Sequence, residues 1–291
     1  MGTPQEPSSA DGPAGLRLFQ RSAQDDESVQ RMLTLLDMQD TAPGIERLRR
    51  WALEVAAPRR GETVVDVGSG TGTVVRRLAG VVGPGLVTGI EPNPRLRAVA
   101  EERTPADPPG VAHRHGTATD LPFDDGSVDL VWCERVLQHL YEPAAAVAEI
   151  ARVLRPGGRA VLLDSDHRTR VTSDVDPDVD ARLLGVFLAS QPNPSAARRI
   201  PRQVRDAGLV LDPDIGSSAL IFPAALVAGS ALLELNAAAA VERGAVTRVE
   251  ADEAVRRFRA AAAEGVAFSA VTVFGFLARK PGAADDPART G

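Results

Sequence analysis

The run Val64-Val65-Asp66-Val67-Gly68-Ser69-Gly70-Thr71-Gly72 constrains the fold more than any other part of the chain. Its β-branched half reads as a buried strand, and its glycine half as a tight turn that opens a helix at Thr73. Glycines at such a turn let a ligand approach the backbone with no β-carbon in the way. A dinucleotide-binding turn is spaced Gly-x-Gly-x-x-Gly, whereas this one is Gly-x-Gly-x-Gly, with Asp66 two residues before the first glycine. A carboxylate at that strand end would repel a pyrophosphate but can face the cationic ammonium of a methionyl group.

The flanking pattern repeats the strand-then-helix theme. Strands are expected at Thr63 to Val67, Leu86 to Ile90, Val111 to His115, Val128 to Trp132 and Arg159 to Asp164, with helices at Thr73 to Val82, Pro94 to Arg103 and Pro143 to Leu154. Alternation of this kind implies a parallel sheet with right-handed crossovers and helices on both faces. Two helices precede it, Val29 to Leu36 and Gly44 to Ala56. A Pro- and Asp-rich insertion spans Val171 to Pro194. It is followed by a helix near Ala196 to Ala207, a strand near Leu209 to Ile215, two helical stretches and a closing strand, Phe268 to Arg279. The expected organisation is therefore a disordered segment at 1–27, a helical lid at 28–60 and one domain at 61–280. That domain carries the insertion near 167–195 and a helical cap near 222–264, and residues 281–291 form a disordered tail.

Composition removes several function classes. The chain has 291 residues and a net charge of -6, so no strong cationic field gathers nucleic acid or an acidic membrane surface. The arginine clusters Arg47, Arg49, Arg50 and Arg198, Arg199, Arg202, Arg205 fall on helical patterns and read as solvated faces. No apolar run reaches the roughly 18 to 20 residues that span a bilayer. The most apolar stretch, Ala219 to Val241, reads as helices packed on a core. One cysteine, Cys133, forms no internal disulfide, and no secretory signal is evident, so the expected compartment is cytoplasmic.

Two further carboxylates sit where a nucleoside needs them. Glu91 ends the second strand, followed by Pro92 and Asn93, and can accept both hydroxyls of a ribose. Thr119-Asp120-Leu121 follows the third strand, where Asp120 can accept an adenine amino group while Leu121 packs on the ring. The stretch from Asp66 to Leu163 resembles the class I S-adenosylmethionine-dependent methyltransferases of the small-molecule type. The pieces that carry the resemblance are Asp66 to Gly72, Glu91, Asp120-Leu121-Pro122-Phe123, Ser127 to Val131 and Leu154-Arg155-Pro156-Gly157-Gly158. It implies an α/β Rossmann-like sheet of seven strands, mostly parallel with an antiparallel last strand. It also implies S-adenosylmethionine as cofactor, with Gly68, Ser69, Gly70, Thr71 and Gly72 under its methionine.

Methyl transfer is an in-line displacement, so much of its catalysis comes from alignment and exclusion of water. The segments after strands four and five, Cys133 to Tyr141 and Asp164 to Arg168, are expected to be loops facing the reaction. The candidate catalytic residues there are His139, Glu134, Asp166 and His167, with Glu134 also a candidate cofactor contact. His139 ranks first because an unperturbed imidazole titrates near neutrality. No spacing demands a metal, although Asp164, Asp166, His167 and Glu134 are chemically able to hold one. His113 and His115 are expected on solvent at an edge strand, Met32, Met38 and Phe187 are pocket candidates, and Gln39 and Asp40 are lid contacts to the cofactor. The expected function is methylation of a small molecule, at oxygen first and nitrogen or carbon next, in natural-product metabolism, by a monomer or homodimer. The rivals are a cyclase or rearrangement enzyme on the same fold and a non-catalytic cofactor-binding protein.

Overall fold

A computed structural model of the chain describes residues 26–83, 86–105, 111–229 and 231–282. The expected disordered ends therefore lie almost wholly outside the described residues; Asp26 and Glu27, assigned to the first of them, begin a helix. The chain divides into two compact units.

The first unit comprises, among the described residues, 26–171, 192–221 and 270–282. It opens with α1 (Asp26–Thr41) and α2 (Pro43–Ala56) and continues through β1 (Val64–Val67), α3 (Thr73–Val82), β2 (Val87–Ile90), α4 (Pro94–Arg103) and β3 (Val111–Arg114). Then come β4 (Val128–Glu134), a single 3-10 turn at Leu137–His139, α5 (Pro143–Val153) and β5 (Leu154–Thr172). It closes with α7 (Ala196–Asp206), β6 (Val210–Leu211), β7 (Gly216–Phe222) and β8 (Ser269–Arg279). Proline at the first helical turn of α2, α4 and α5 sets φ where the missing N–H costs nothing. Asn93 caps α4 by accepting from the amides of Arg95 and Leu96.

The sheet order is β3-β2-β1-β4-β5-β8-β6, with β7 also on β8. β1 pairs parallel with β2 and β4, β2 with β3 and β4 with β5, whereas β6 runs antiparallel to β8. Strands flanked on both sides read as continuous apolar runs, and β1 is buried at all four positions. Val65, Val67, Val131, Cys133 and Leu162 join Val147 and Ile150 of α5 in the main core. Among the described residues no helix is long and apolar enough to cross a membrane.

The sheet has eight strands where seven were expected, because the sixth is broken. Pro213 has no N–H to donate, so Val210–Leu211 stops there and the chain resumes on β8 as Gly216–Phe222. The helical reading of residues 219–222 is thereby corrected. The strand's first half, Gly-Ser-Ser-Ala, has too little β-propensity to announce itself. Glycine is needed there, since a Cβ on Gly216 or on Gly275 would lie 2.4 Å from the Trp51 ring, whose Nε1 donates to Asp214 at 3.0 Å. A second correction concerns Asp164 to Arg168, expected as a loop. These residues lie within β5, which continues to Thr172; Thr169 Oγ1 accepts from the amide of Thr272 at 2.9 Å.

The second unit, described residues 172–191 and 222–269, is helical: α6 (Pro177–Ser190), α8 (Ala224–Gly229), α9 (Ala231–Glu242) and α10 (Arg248–Ala263). It brings the insertion and the helical cap together around Val179, Leu183, Val186, Ala240 and Ala254. Thr247 and Glu250 form a reciprocal cap on α10, and Arg182 of α6 reaches Glu250 at 2.7 Å.

Candidate active site

The carboxyl ends of β1, β2, β4 and β5 converge, as the parallel pairing requires, and the sequence-predicted residues of the first unit gather there. The turn after β1 is held by Ile90, whose carbonyl accepts from the amides of Gly68 at 2.8 Å and Ser69 at 3.0 Å. Gly68, Gly70 and Gly72 adopt φ of 69°, 53° and 77°. Glu91 braces the turn from the next strand: Oε2 accepts from the Gly70 amide at 3.0 Å and Oε1 from the Asn93 amide at 2.8 Å. Burial raises the Glu91 pKa against the pull of those two amides. Burial, reinforced by the charge of Glu134, drives the Asp66 carboxyl well above its ordinary range. Ser69 Oγ and Thr71 Oγ1 are buried with no hydrogen-bond partner among the described residues, an expense that a polar ligand on the turn would remove.

Gly68 has a specific duty. A Cβ there would fall 2.4 Å from Cγ2 of Val136. Gly68→Ala should lose about 1–2 kcal/mol to the left-handed backbone and about 1–3 kcal/mol to the collision. Urea unfolding of Gly68→Ala with and without Val136→Ala separates the two, because trimming Val136 relieves only the collision.

On the adenine side the chain behaves differently. Thr119 and Asp120 are exposed in the segment beyond β3, while Leu121 is 2% exposed and its amide donates to Glu149 at 2.8 Å. His115 is exposed, but His113, expected on solvent, is half-buried beneath Gly72 and lies 3.0 Å from Thr104 Oγ1. Burial lowers its pKa.

The end of β4 holds a network that sequence reading missed. Arg49 of α2 was assigned to a solvated face, yet it is 1% exposed. Its Nε donates to Glu134 Oε2 at 2.9 Å and its Nη2 to Oε1 at 2.8 Å; Nη2 also reaches Asp40 of α1 at 2.6 Å. Trp132 Nε1 donates to Glu134 at 3.2 Å. Burial pushes the Glu134 carboxyl up, but the charges of Arg49 and Arg135 and these hydrogen bonds outweigh it, and the net displacement is downward. A carboxylate held this way is a weaker proton acceptor than a free one, which disfavours Glu134 as a base. Asp40, a candidate lid contact to the cofactor, has its Oδ1 on Arg49. Arg135 sits at φ 57°, and its Nη1 is buried with no hydrogen-bond partner among the described residues. The signal for Arg49 was present: Ile45, Leu48, Ala52 and Ala56 share one helical face with it, so a charge on that stripe had to be buried and paired.

The remaining candidates cluster around the 3-10 turn and β5. Asp164 is 1% exposed, accepts from the amides of Ser165 and Gln138, and is pushed up to about 7 by burial against those bonds. Asp166 accepts from Arg198 Nε at 2.5 Å and from the Arg168 amide at 3.1 Å. Burial, with the charges of His167 and Arg135, lowers the His139 pKa to about 3, so the expectation of titration near neutrality is overturned. Burial and Arg170 lower His167 to about 4. Gln138, which no sequence signal singled out, stands between these two histidines. Two of the four candidate metal ligands are paired with arginines, Asp166 with Arg198 and Glu134 with Arg49. Cys133 is buried in β4 and its thiol is pushed far up by burial. Met32, at 1% exposed, is core.

A methyltransferase domain model matches residues 65–162. A 37.1 kDa protein of transposon TN4556 from Streptomyces fradiae is 32% identical over 92% of this chain and 79% of its own length. The O-methyltransferase cnsE of Penicillium expansum is 35% identical over 58% of this chain, and a Staphylococcus aureus demethylmenaquinone methyltransferase is 36% identical over 42%. This chain spans 60% and 50% of those two proteins. Among solved structures, the Bacillus subtilis YcgJ protein superposes with a TM-score of 0.55 at 18% identity, over 81% of this chain and 99% of that one. Haemonchus contortus phosphoethanolamine N-methyltransferase 2, solved with S-adenosylhomocysteine, gives 0.51 at 18% identity over 82% of this chain and 54% of that one.

Proposed function

From the premise that this chain belongs to the class I S-adenosylmethionine-dependent methyltransferases, we propose that it methylates an oxygen of a small molecule in specialised metabolism. S-Adenosylmethionine, its cofactor, supplies a methyl group on a positively charged sulfur. The observation that carries the site assignment is the pair of buried hydroxyls of Ser69 and Thr71, unpartnered among the described residues, on a turn braced by the buried Glu91. In this reading Glu91 takes the ribose hydroxyls, Asp120 and Leu121 the adenine, and Asp66 with the Gly68 to Gly72 turn the methionine end. A cationic ligand beside Asp66 would offset the burial and the Glu134 charge that disfavour its ionised form.

The similarity to an O-methyltransferase over 175 residues supports oxygen as the acceptor. The net charge of -6 favours a small molecule over nucleic acid. Asp164, with a pKa of about 7, is the group of the cluster whose proton exchanges near neutrality, and it replaces His139 as the first candidate to manage the acceptor's proton. The same reading has the protein act in the cytoplasm as a monomer or homodimer.

The test is incubation with methyl-labelled S-adenosylmethionine and a panel of phenols, amines and activated carbon acids, with product masses and the methylated atom read by NMR. Label on oxygen is expected. Label only on nitrogen or carbon would overturn the acceptor assignment, and a rearranged product with the cofactor unconsumed would overturn methylation itself.

A further inference from the structure

Gln138 sits on the turn after β4 with its side-chain amide between two imidazoles. Its Nε2 lies 3.2 Å from Nε2 of His139, and its Oε1 lies 3.0 Å from Nε2 of His167. A third contact fixes which end of the amide is which. Nε2 is 3.3 Å from the carbonyl oxygen of Arg135, an atom that can only accept, so the nitrogen faces Arg135 and His139 while the oxygen faces His167. Gln138 is itself held: its amide donates to Asp164 at 3.2 Å, its carbonyl accepts from the Asn193 amide at 3.2 Å, and it is 8% exposed.

A neutral imidazole carries one N–H and one lone pair. The Gln138 N–H that points at His139 requires a lone pair at His139 Nε2, which leaves the proton on Nδ1. The Gln138 oxygen that faces His167 requires an N–H at His167 Nε2, which leaves the lone pair on Nδ1. We propose that Gln138 is a positioning residue that holds these histidines in opposite tautomers, His139 as Nδ1–H and His167 as Nε2–H.

The pair is then chemically asymmetric. His139 has its lone pair engaged by Gln138 and its other nitrogen protonated, so it acts as a hydrogen-bond donor and not as a proton acceptor. His167 carries its basic lone pair on Nδ1. Burial first, then the charges of His167 and Arg135 on His139 and of Arg170 on His167, disfavour protonation and keep the two rings neutral at pH 7. That this asymmetry serves the acceptor half of the site rests on the functional reading above, but the tautomers themselves do not.

Four histidines make the measurement tractable. Two-bond proton-nitrogen correlation spectra of the histidine-labelled protein, assigned by His113→Gln, His115→Gln and His139→Gln, report each tautomer without cofactor or acceptor. The expected spectrum has His139 in the Nδ1–H form and His167 in the Nε2–H form. Gln138→Glu places an acceptor toward both rings, so His139 should switch to Nε2–H and titrate at a higher pH than in the parent. Gln138→Leu should let both rings relax toward the mixture seen in free histidine. His139 found as Nε2–H in the unaltered protein, or tautomers unchanged in both variants, would overturn the proposal. Because the spectra need no ligand, failure of cofactor binding would count against the functional reading alone.

Discussion

Arg49→Met is expected to cost about 3–5 kcal/mol of folding stability, the scale for removing one partner of a buried ion pair. The guanidinium meets Glu134 through Nε and Nη2 and Asp40 through Nη1 on its carbonyl and Nη2 on its carboxylate, and the side chains of Arg49 and Glu134 are 2% and 5% exposed. The loss is that of a buried carboxylate left with only Arg135 at 3.6 Å and Trp132 at 3.2 Å among its described partners. The double variant Arg49→Met, Glu134→Leu should recover most of the loss, since exchanging both partners for apolar groups of similar size is often nearly neutral. Urea midpoints of the parent, the single and the double variant measure this.

The pH dependence of the same series carries a sign. In the parent, the Glu134 pKa is lower folded than unfolded, so its contribution is fully present above the unfolded value of 4.5 and is lost as pH falls through the folded value. In Arg49→Met the main downward influence is gone and burial dominates, so the folded pKa should rise above the unfolded one. The variant should therefore gain stability relative to the parent as the solution is acidified from about pH 7 to about pH 5. A deficit that stays constant over that range would show that Glu134 is not the group left uncompensated.

The architecture was legible because local signals agreed with the global arrangement. The β-branched run into Gly68, the prolines opening α2, α4 and α5, and the strand-helix alternation each point to the same parallel sheet. What escaped was written in tertiary contacts. β7 forms from Gly-Ser-Ser-Ala because β8 is there to pair with it and Trp51 needs the space a glycine leaves. The residues Asp164 to Arg168 look like a loop by polarity, yet the polar side chains of this strand end have partners: Asp164 in backbone amides, Asp166 in Arg198, His167 in Gln138. For the site, residue types near the glycine turn sufficed to nominate Asp66 and Glu91. Roles at the ends of β4 and β5 did not follow from type, since burial moves His139 to about 3 and Asp164 to about 7, inverting which of the two titrates near neutrality. Only Arg49 was recoverable in principle, from its place on the apolar stripe of α2.

Glu91→Ala should weaken S-adenosylmethionine binding by at least about 100-fold in a calorimetric titration, with the demethylated product losing as much. Two hydrogen bonds to a buried carboxylate, at about 1.5–3 kcal/mol each, set that scale. Glu91 also holds the Gly70 and Asn93 amides, so part of any loss could come from a loosened turn. Glu91→Gln separates the two. Its oxygen can still accept one amide, but its NH2 group opposes the second and offers a donor where the ribose hydroxyls need an acceptor. If the carboxylate binds ribose, Glu91→Gln should bind nearly as poorly as Glu91→Ala while retaining more of the ligand-free thermal stability. If it only braces the turn, affinity and stability should fall in step through both variants. Asp120 supplies the contrast: it is exposed, its hydrogen bond competes with water, and Asp120→Ala should cost only about 1 kcal/mol, or roughly fivefold in affinity. Affinity unchanged in both Glu91 variants would move the cofactor away from the β1 and β2 strand ends. A larger loss at Asp120 than at Glu91 would reverse the order that burial imposes on the two carboxylates.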